Sequence, residues 1–370
     1  MNKPSFFSRI ILTFSFLVTS LTMLANEPAH HGSEPQKEQT VQEKNKEFIQ
    51  HHLLDNHDLY LWHEEETDTY VGNIPLPIIF WDKEDGFQFG MSSEFEHGKK
   101  AVKKGSNYYV LHHEKLYKAN DAAGNLSHKE GSEYPTNERP IDLSITKNVV
   151  VMLLVAVLML VLFGGMARSY KKNNGIPKGI GRFFEPIILY IRDEIAIPNI
   201  GKKHYRRYMG YLLTIFFFIW FLNIFGLTPF GINVTNNIAI TFGLAILTFL
   251  ITTFTANWNY WKHIFWMPGV PVPMKIILAP IELIGIIIKP FALMIRLFAN
   301  MTAGHVVMMS LLGMIWVFKN WAGGTFSFVL AFGISIIEIL VALLQAYIFT
   351  MLSSLYFGAA VEEHHHDDHH

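Results

Sequence analysis

The second half of the chain is dominated by apolar stretches that are too long for the core of a globular domain. These stretches cover about residues 149–167, 208–226, 238–256, 276–318 and 325–357. A helix needs about 20 apolar residues to cross the hydrocarbon core of a bilayer, whereas a helix of a soluble domain needs only an apolar stripe. Of the 30 Lys and Arg residues, the only ones beyond Arg207 are Lys262, Lys275, Lys289, Arg296 and Lys319. The sequence therefore predicts an all-α polytopic membrane protein with five transmembrane helices, the last two forming a long tilted hairpin.

Basic residues predict the orientation of these helices. The segment 168–207 holds ten basic and three acidic residues, and it follows the first span directly. Because basic loops stay in the cytoplasm, this segment and the C-terminus are predicted to be cytoplasmic. Within it, residues 181–197 are typical of an amphipathic helix at the membrane surface. Residues 268–273, which are rich in proline, and 319–324 are predicted to be non-helical connections.

The residues before the membrane domain (146–360) have a different composition. Lys3 and Arg9 precede an apolar run that ends at the small residue Ala25, which predicts a signal peptide over 1–25, with an uncleaved anchor as the alternative. Residues 26–145 then form an extracytoplasmic extension. Its first part, 26–48, is polar and predicted to be disordered, and about 51–117 is predicted to be β-rich or irregular.

The sequence predicts no cofactor and no metal site. The chain has no cysteine, which excludes thiol catalysis, disulfides and cysteine-ligated metals. The tail 361–370 is rich in His and Asp and is interpreted as a solvated cytoplasmic end, with divalent metal binding as the alternative. No GxxxxGK[ST] phosphate loop occurs in the sequence, so the chain is not predicted to be an enzyme on its own. The early histidines lack a recognisable ligand spacing; they are His51, His52, His57, His63, His112 and His113.

Polar residues inside the last two apolar stretches are the strongest functional signal, because a charge within a membrane is costly. Glu282, Lys289 and Arg296 are seven residues apart, so they line one face of a helix. Glu338 and Gln345 repeat this spacing on the returning helix.

A turn near residue 321 places these polar residues in layers. It puts Arg296 opposite Gln345, and His305 opposite Glu338, with the second layer ~13 Å nearer the external face. Simpler roles compete for some of them, because a single His or Glu often makes only an interhelical hydrogen bond, and Lys289 and Glu282 can extend to the cytoplasmic interface. Arg296 lies far from both ends of its helix, remains charged, and has no acidic residue within one turn.

Residues 289–305 follow the pattern KPxxLxxRLFxNMxAGH. This run closely resembles the signature of subunit a of F-type (rotary) ATP synthases of bacteria. Glu282 before the run, and Glu338 and Gln345 after it, fit the same family, as does the run Gly-Leu-Thr-Pro at 226–229. The resemblance covers about residues 145–357, and the N-terminal extension lies outside it.

The resemblance implies a stator beside a rotor ring of c subunits, with two half-channels that lead to opposite sides of the membrane. Arg296 matches the essential arginine that faces the ring. His305 and Glu338 match the polar pair of the external half-channel, and Glu282 matches an acidic group on the cytoplasmic side. The remaining matches are polar positions beside the arginine, Asn300 and Gln345, with Lys289 as a possible further pathway residue.

The family also implies partners, a location and an ion. The expected partners are the c ring, b-type peripheral stalk subunits, the remainder of the ATP synthase complex and membrane lipid, without nucleic acid, in the bacterial inner membrane. A histidine beside a carboxylate suits proton transfer, which favours protons over sodium. The alternatives are a secondary ion or solute transporter, which usually shows repeated halves that are not evident here, and a membrane receptor with an extracytoplasmic domain.

Overall fold

A computed structural model describes residues 55–362, except 60–61, 65–68, 72–73, 99, 130–133, 229–232, 268–269 and 319–320. The predicted signal peptide, the polar segment 26–48, His51, His52 and the tail from residue 363 lie outside the described residues.

The described chain after residue 146 is mostly helical. Its helices are α1 (Lys147–Lys172), α2 (Gly181–Tyr190), α3 (Ile197–Ile200), α4 (Tyr205–Gly226), α5 (Ile238–Thr255), α6 (Trp258–Phe265), α7 (Val272–Phe318) and α8 (Trp321–Val361). A π-helical stretch, Ile191–Ala196, joins α2 to α3, and a 3-10 turn, Val234–Asn236, precedes α5. By length and composition, five of these helices can cross a membrane, namely α1, α4, α5, α7 and α8. The predicted fold class is confirmed.

Three helix boundaries differ from the sequence prediction. Helix α7 begins at Val272, because the first turn of a helix tolerates Pro273, whose missing N–H would have no partner there. Helix α8 begins at Trp321, so residues 321–324 are helical rather than part of the turn. The predicted surface helix continues to Ile200 and ends where Gly201 adopts a φ of 87°.

Helix α4 lies at the centre of the membrane domain. Half of the 18-residue apolar stretch of α4 is buried within the protein, whereas the buried share of the corresponding stretch is 17% in α7 and 22% in α8. Tyr208 donates a hydrogen bond to Thr255 of α5 at 2.8 Å. The fully buried Asn223 accepts one from Thr235 at 2.9 Å and donates one to the carbonyl of Ala342 in α8 at 3.5 Å. Since lipid is as apolar as a leucine side chain, such bonds and close packing determine how membrane helices associate.

The extension is a small β domain, as predicted. Its strands are β1 (Asp58–Leu59), β2 (Trp62–Glu64), β3 (Thr69–Val71), β4 (Ile74–Pro75), β5 (Pro77–Asp82), β6 (Gly86–Met91), β7 (Val102–Lys104), β8 (Asn107–His112), β9 (Lys115–Ala119) and β10 (Ile141–Asp142). One antiparallel sheet has the order β10-β5-β6 and another the order β7-β8-β9, while β1 pairs with β4 and β2 with β3. A 3-10 helix, Ser92–Gly98, follows β6. The buried core consists of Ile78, Phe80, Phe95, Tyr109, Leu111 and Leu116.

The β8–β9 hairpin turns at His113 and Glu114, both in the left-handed region with φ of 46° and 58°. Two such residues in succession are typical of a type I′ turn, whose twist matches that of the flanking strands. The turn places Glu114 at the tip of the hairpin, where its carboxylate accepts a hydrogen bond from the backbone N–H of His57 at 3.4 Å.

His57 connects the beginning of the extension to its end. Its side chain is buried, its Nε2 lies 3.2 Å from Oδ2 of Asp142, and its Nδ1 lies 3.8 Å from Oε2 of Glu114. Burial by itself would lower the pKa of His57, but the hydrogen bonds to Asp142 and Glu114 outweigh burial and raise the pKa to about 9. The protonated imidazole therefore stabilises the folded extension.

This ion-pair cluster predicts a loss of stability at high pH. Because the folded pKa lies above the ~6.5 of an unfolded histidine, the contribution of about 3 kcal/mol is complete below pH ~6.5 and is lost as the pH rises through about 9. We expect hydrogen-exchange protection of β8, β9 and β10 in the full chain to fall over this range, after correction for the intrinsic pH dependence of exchange. In the His57→Gln variant, protection should already be low at neutral pH. An equal pH dependence in both proteins would contradict this assignment.

A second prediction concerns Gly358, which lets α8 approach the end of α3. A Cβ at this position would overlap the backbone carbonyl oxygen of Asn199. Overpacking of this kind costs about 1–3 kcal/mol, so Gly358→Ala should lower the thermal unfolding midpoint of the chain in detergent. Gly333→Ala is the matched control on the same helix, because an added methyl group there has no described atom within 4 Å. Similar midpoints for the two variants would show that the close approach is not required.

Candidate functional site

Helices α7 and α8 pack against each other in the predicted antiparallel register. A Cβ added to Gly304 of α7 would lie 2.5 Å from Oε1 of Glu338 on α8. Farther along the same pair, Oγ of Ser335 lies 3.5 Å from Sδ of Met308. Both contacts correspond to a turn near residue 321, so His305 and Glu338 lie at the same depth.

The layer that contains His305 and Glu338 is buried within the helices. His305 is 2% exposed and Glu338 is 7% exposed. Within the described residues, Oε2 of Glu338 is buried and accepts no hydrogen bond. A carboxyl group that is not committed to an ion pair can take up or release a proton without breaking a fixed contact, which is the chemistry that a proton pathway requires.

Arg296 lies near the middle of the 47-residue helix α7. Its side chain is exposed, as is that of Asn300 one turn later, whereas Gln345 is buried on the inner face of α8. The ion pairs found among the described residues do not include Arg296. Arg296 and Gln345 therefore share a depth, but their side chains have different surroundings.

A cleft lies on the other side of Arg296, between α5, α6, α7 and α8. Lys289 lines this cleft with Thr248, Thr252 and Tyr260, and its Nζ lies 5.6 Å from the centroid of the Tyr356 ring. Burial, together with the charge of Glu282, raises the pKa of Tyr260 on α6. Lys289 and Glu282 are both partly buried, so each interacts with neighbouring helices.

The structure also reveals polar residues that sequence reasoning missed. Oγ1 of Thr302, one turn before His305 on α7, donates a hydrogen bond to Oδ1 of Asn236. The adjacent Asn237 caps α5 by accepting the N–H of Ala239 at 2.9 Å, and its amide donates to Asp55 of the extension at 3.3 Å. Nothing in the sequence signalled these partners, since Asn237 and Asp55 are 182 positions apart.

Within the described residues, no group of three or more His, Asp or Glu side chains is arranged so that it could hold a metal ion. His112 packs its ring against those of His113 and His128, with centroids 4.3 Å and 5.9 Å apart. These contacts are aromatic packing at the surface of the extension.

Curated proteins from several bacteria are similar to the membrane part of this chain. A protein from Chloroherpeton thalassium named ATP synthase subunit a is 46% identical over 227 residues, which cover 60% of this chain and 67% of that protein. Proteins of the same name from Anaeromyxobacter sp. and Myxococcus xanthus are 42% and 44% identical over 62% of this chain. These two matches span 57% and 77% of the respective relatives.

Two family profiles match different parts of the chain. Residues 48–143 match a family described as Domain of unknown function (DUF8433), which coincides with the β-rich extension. Residues 149–358 match the family described as ATP synthase A chain, and this region holds the five candidate membrane spans except for two residues at the start of the first and three at the end of the last. The chain belongs to the ATP synthase A chain family.

Proposed function

We propose that this chain is the proton-conducting stator subunit of a bacterial rotary ATP synthase, in which Arg296 couples proton flow to rotation of the c ring. The observation that carries the proposal is a permanently charged, exposed side chain near the middle of an apolar 47-residue helix. Such a charge is costly in a membrane unless a partner of opposite charge is presented to it. An ion-binding carboxylate on each c subunit is that partner.

The charge of Arg296 explains how the coupling operates. A fixed guanidinium favours the ionised form of a nearby carboxylate, so a protonated rotor site loses its proton as it approaches. The same charge repels protons that would pass directly from one half-channel to the other. Arginine suits this role better than lysine, because lysine neutralises more readily when it is desolvated.

Two polar regions on either side of Arg296 serve as the half-channels. The buried layer of His305 and Glu338 forms part of the external one. The cleft that holds Lys289, with Glu282 beside it, forms the cytoplasmic one. Because the two regions lie at opposite ends of α7 relative to Arg296, a proton crosses between them only on the rotating ring.

The exposed apolar faces of α7 and α8 support a large partner within the membrane. Exposed residues at about the depth of Arg296 include Ile295 of α7 and Leu343 and Leu344 of α8. The c ring covers part of this surface and lipid covers the rest. The peripheral stalk and the remainder of the complex hold the subunit against the ring, with the extension on the external side and the C-terminus in the cytoplasm.

Substitution of Arg296 tests the central claim. In inverted vesicles, Arg296→Ala should reduce ATP-driven acidification about 100-fold or more, because removal of a preorganised charge has effects of that size. Arg296→Lys should keep more activity than the alanine variant but less than the native protein. Arg192→Ala, which removes an exposed arginine paired with Asp193, is the control and should pump normally. Normal pumping by an assembled Arg296→Ala complex would overturn the proposal.

Substitution of Glu338 tests the external half-channel. Glu338→Gln keeps the size of the side chain and removes its titratable carboxyl group, so pumping should fall by about 100-fold. The control is Glu362→Gln, which removes the same charge from an exposed position after the end of α8. Immunoblots for this chain and for the c subunit verify assembly. If both variants pump equally well, Glu338 is only a packing residue.

A further inference from the structure

The extension caps helix α1 from a distant part of the chain. Thr146 is the N-cap residue of α1, but its hydroxyl does not bond to the first turn of its own helix. Instead it donates to Oδ2 of Asp55 at 3.0 Å, and Oδ1 of Asp55 accepts the backbone N–H of Asn148 at 3.4 Å. The carbonyl of Asn56 accepts the backbone N–H of Lys147 at 3.0 Å. The extension thus satisfies two of the N–H groups that a helix leaves unpaired at its start.

The same carboxyl group holds residues 233–237, the α4–α5 turn. Oδ2 of Asp55 accepts a hydrogen bond from the side-chain amide of Asn237 at 3.3 Å. Asn237 is also the N-cap residue of α5, because its own side chain accepts the N–H of Ala239 at 2.9 Å. One side chain of the extension therefore joins the N-terminal ends of two membrane helices, α1 and α5.

The α4–α5 turn reaches both helices of the hairpin. Asn236 accepts a hydrogen bond from the hydroxyl of Thr302 on α7. Thr235 donates to Oδ1 of Asn223 at 2.9 Å, and the amide of Asn223 donates to the carbonyl of Ala342 on α8 at 3.5 Å. The antiparallel register of the hairpin puts Thr302 and Ala342 at about the same depth. The turn is therefore bonded to α7 directly and to α8 through one asparagine of α4.

These two contact points lie next to the layer of His305 and Glu338. Thr302 precedes His305 by three residues and Ala342 follows Glu338 by four, so each lies about one helical turn, ~5 Å, from the layer. Both lie on the side of the layer that faces Arg296. The α4–α5 turn thus holds the hairpin between the buried layer and the arginine.

We propose that Asp55 is a positioning residue for proton transfer, because it holds the α4–α5 turn where Asn236 contacts Thr302. This inference rests on the proposed function. Hydrogen bonds between membrane segments specify position, since lipid offers no competing water. Proton transfer needs a donor and an acceptor within hydrogen-bond reach, so a small displacement of the hairpin slows it. Asp55 acts through Asn237 and the turn, and not on the proton itself.

Substitutions of Asp55 test this role in ATP-driven acidification of inverted vesicles. The rate is expressed per assembled complex, with immunoblots for this chain and for the c subunit giving the amount. Asp55→Ala removes all three hydrogen bonds and should slow pumping about three- to tenfold, the size expected for hydrogen bonds between membrane segments. Asp55→Asn keeps an oxygen that accepts from Thr146 and Asn237, so it should pump at close to the native rate. Equal losses in the two variants would overturn the inference.

Asp85→Ala is the matched control. Asp85 accepts hydrogen bonds from Ser106 and Asn107, which are both within the extension. Its substitution weakens the extension without removing a bond to the membrane domain, so pumping should be normal. If Asp55 only stabilises the extension, Asp55→Ala and Asp85→Ala will slow pumping alike, and that result is incompatible with a positioning role.

A double-mutant cycle tests whether Asp55 acts through the α4–α5 turn. Thr302→Val keeps the shape of the side chain and removes the donor to Asn236, so it should slow pumping by a similar factor. Because both substitutions release the same contact, Asp55→Ala/Thr302→Val should pump about as fast as the slower single variant. Independent, multiplicative losses would overturn the inference. Thr325→Val is the control, since its hydroxyl donates to the carbonyl of Trp321 in its own helix at 2.8 Å, and it should leave pumping unchanged.

The same vesicles separate this inference from the proposed function. The native complex should acidify the lumen and Arg296→Ala should not, and failure of either expectation contradicts the proposed function. If both expectations hold and Asp55→Ala pumps at the native rate, only the positioning role of Asp55 is wrong.

Discussion

The contact between Gly304 and Glu338 determines the depth of the polar groups in the hairpin. Glycine is required there because the carboxyl group of α8 occupies the space that a side chain on α7 would fill. Once this pair is in register, the helical repeat places His305 beside Glu338, with Arg296 about two and a half turns from His305 and Gln345 about two turns from Glu338. The relative depth of these polar groups therefore depends on one close approach between two long helices.

Interhelical polar bonds hold the hairpin in place together with apolar packing. Much of the surface of α7 and α8 is exposed in the isolated chain, and their inner faces contact each other and neighbouring helices such as α4 and α5. At these faces the structure uses hydroxyl and amide groups, such as the bond from Thr302 to Asn236 and the bond from Asn223 to the carbonyl of Ala342. In a lipid environment such groups have no competing water, so each bond specifies a position as well as contributing energy.

The extension follows different rules because it folds in water. Its core is built from alternating apolar residues of short strands, and His57 with Asp142 and Glu114 ties its first residues to its last. Its attachment to the membrane domain is polar and local, and it is centred on Asp55, which bonds to residues at the N-terminus of α1. The extension is thereby connected to the membrane domain through a few directional bonds.

The sequence by itself determined the five spans, the register of the last hairpin and the identity of the polar residues within it. This was possible because membrane helices are long, their hydrogen bonds are internal, and a charge in an apolar run has few explanations. Only the tertiary structure decided which residues surround those polar groups, since the partners of Asp55 and Lys147 come from distant parts of the chain. It also decided that Arg296 is exposed while Gln345 is buried, because helical spacing sets depth and face but not the neighbours that cover a face.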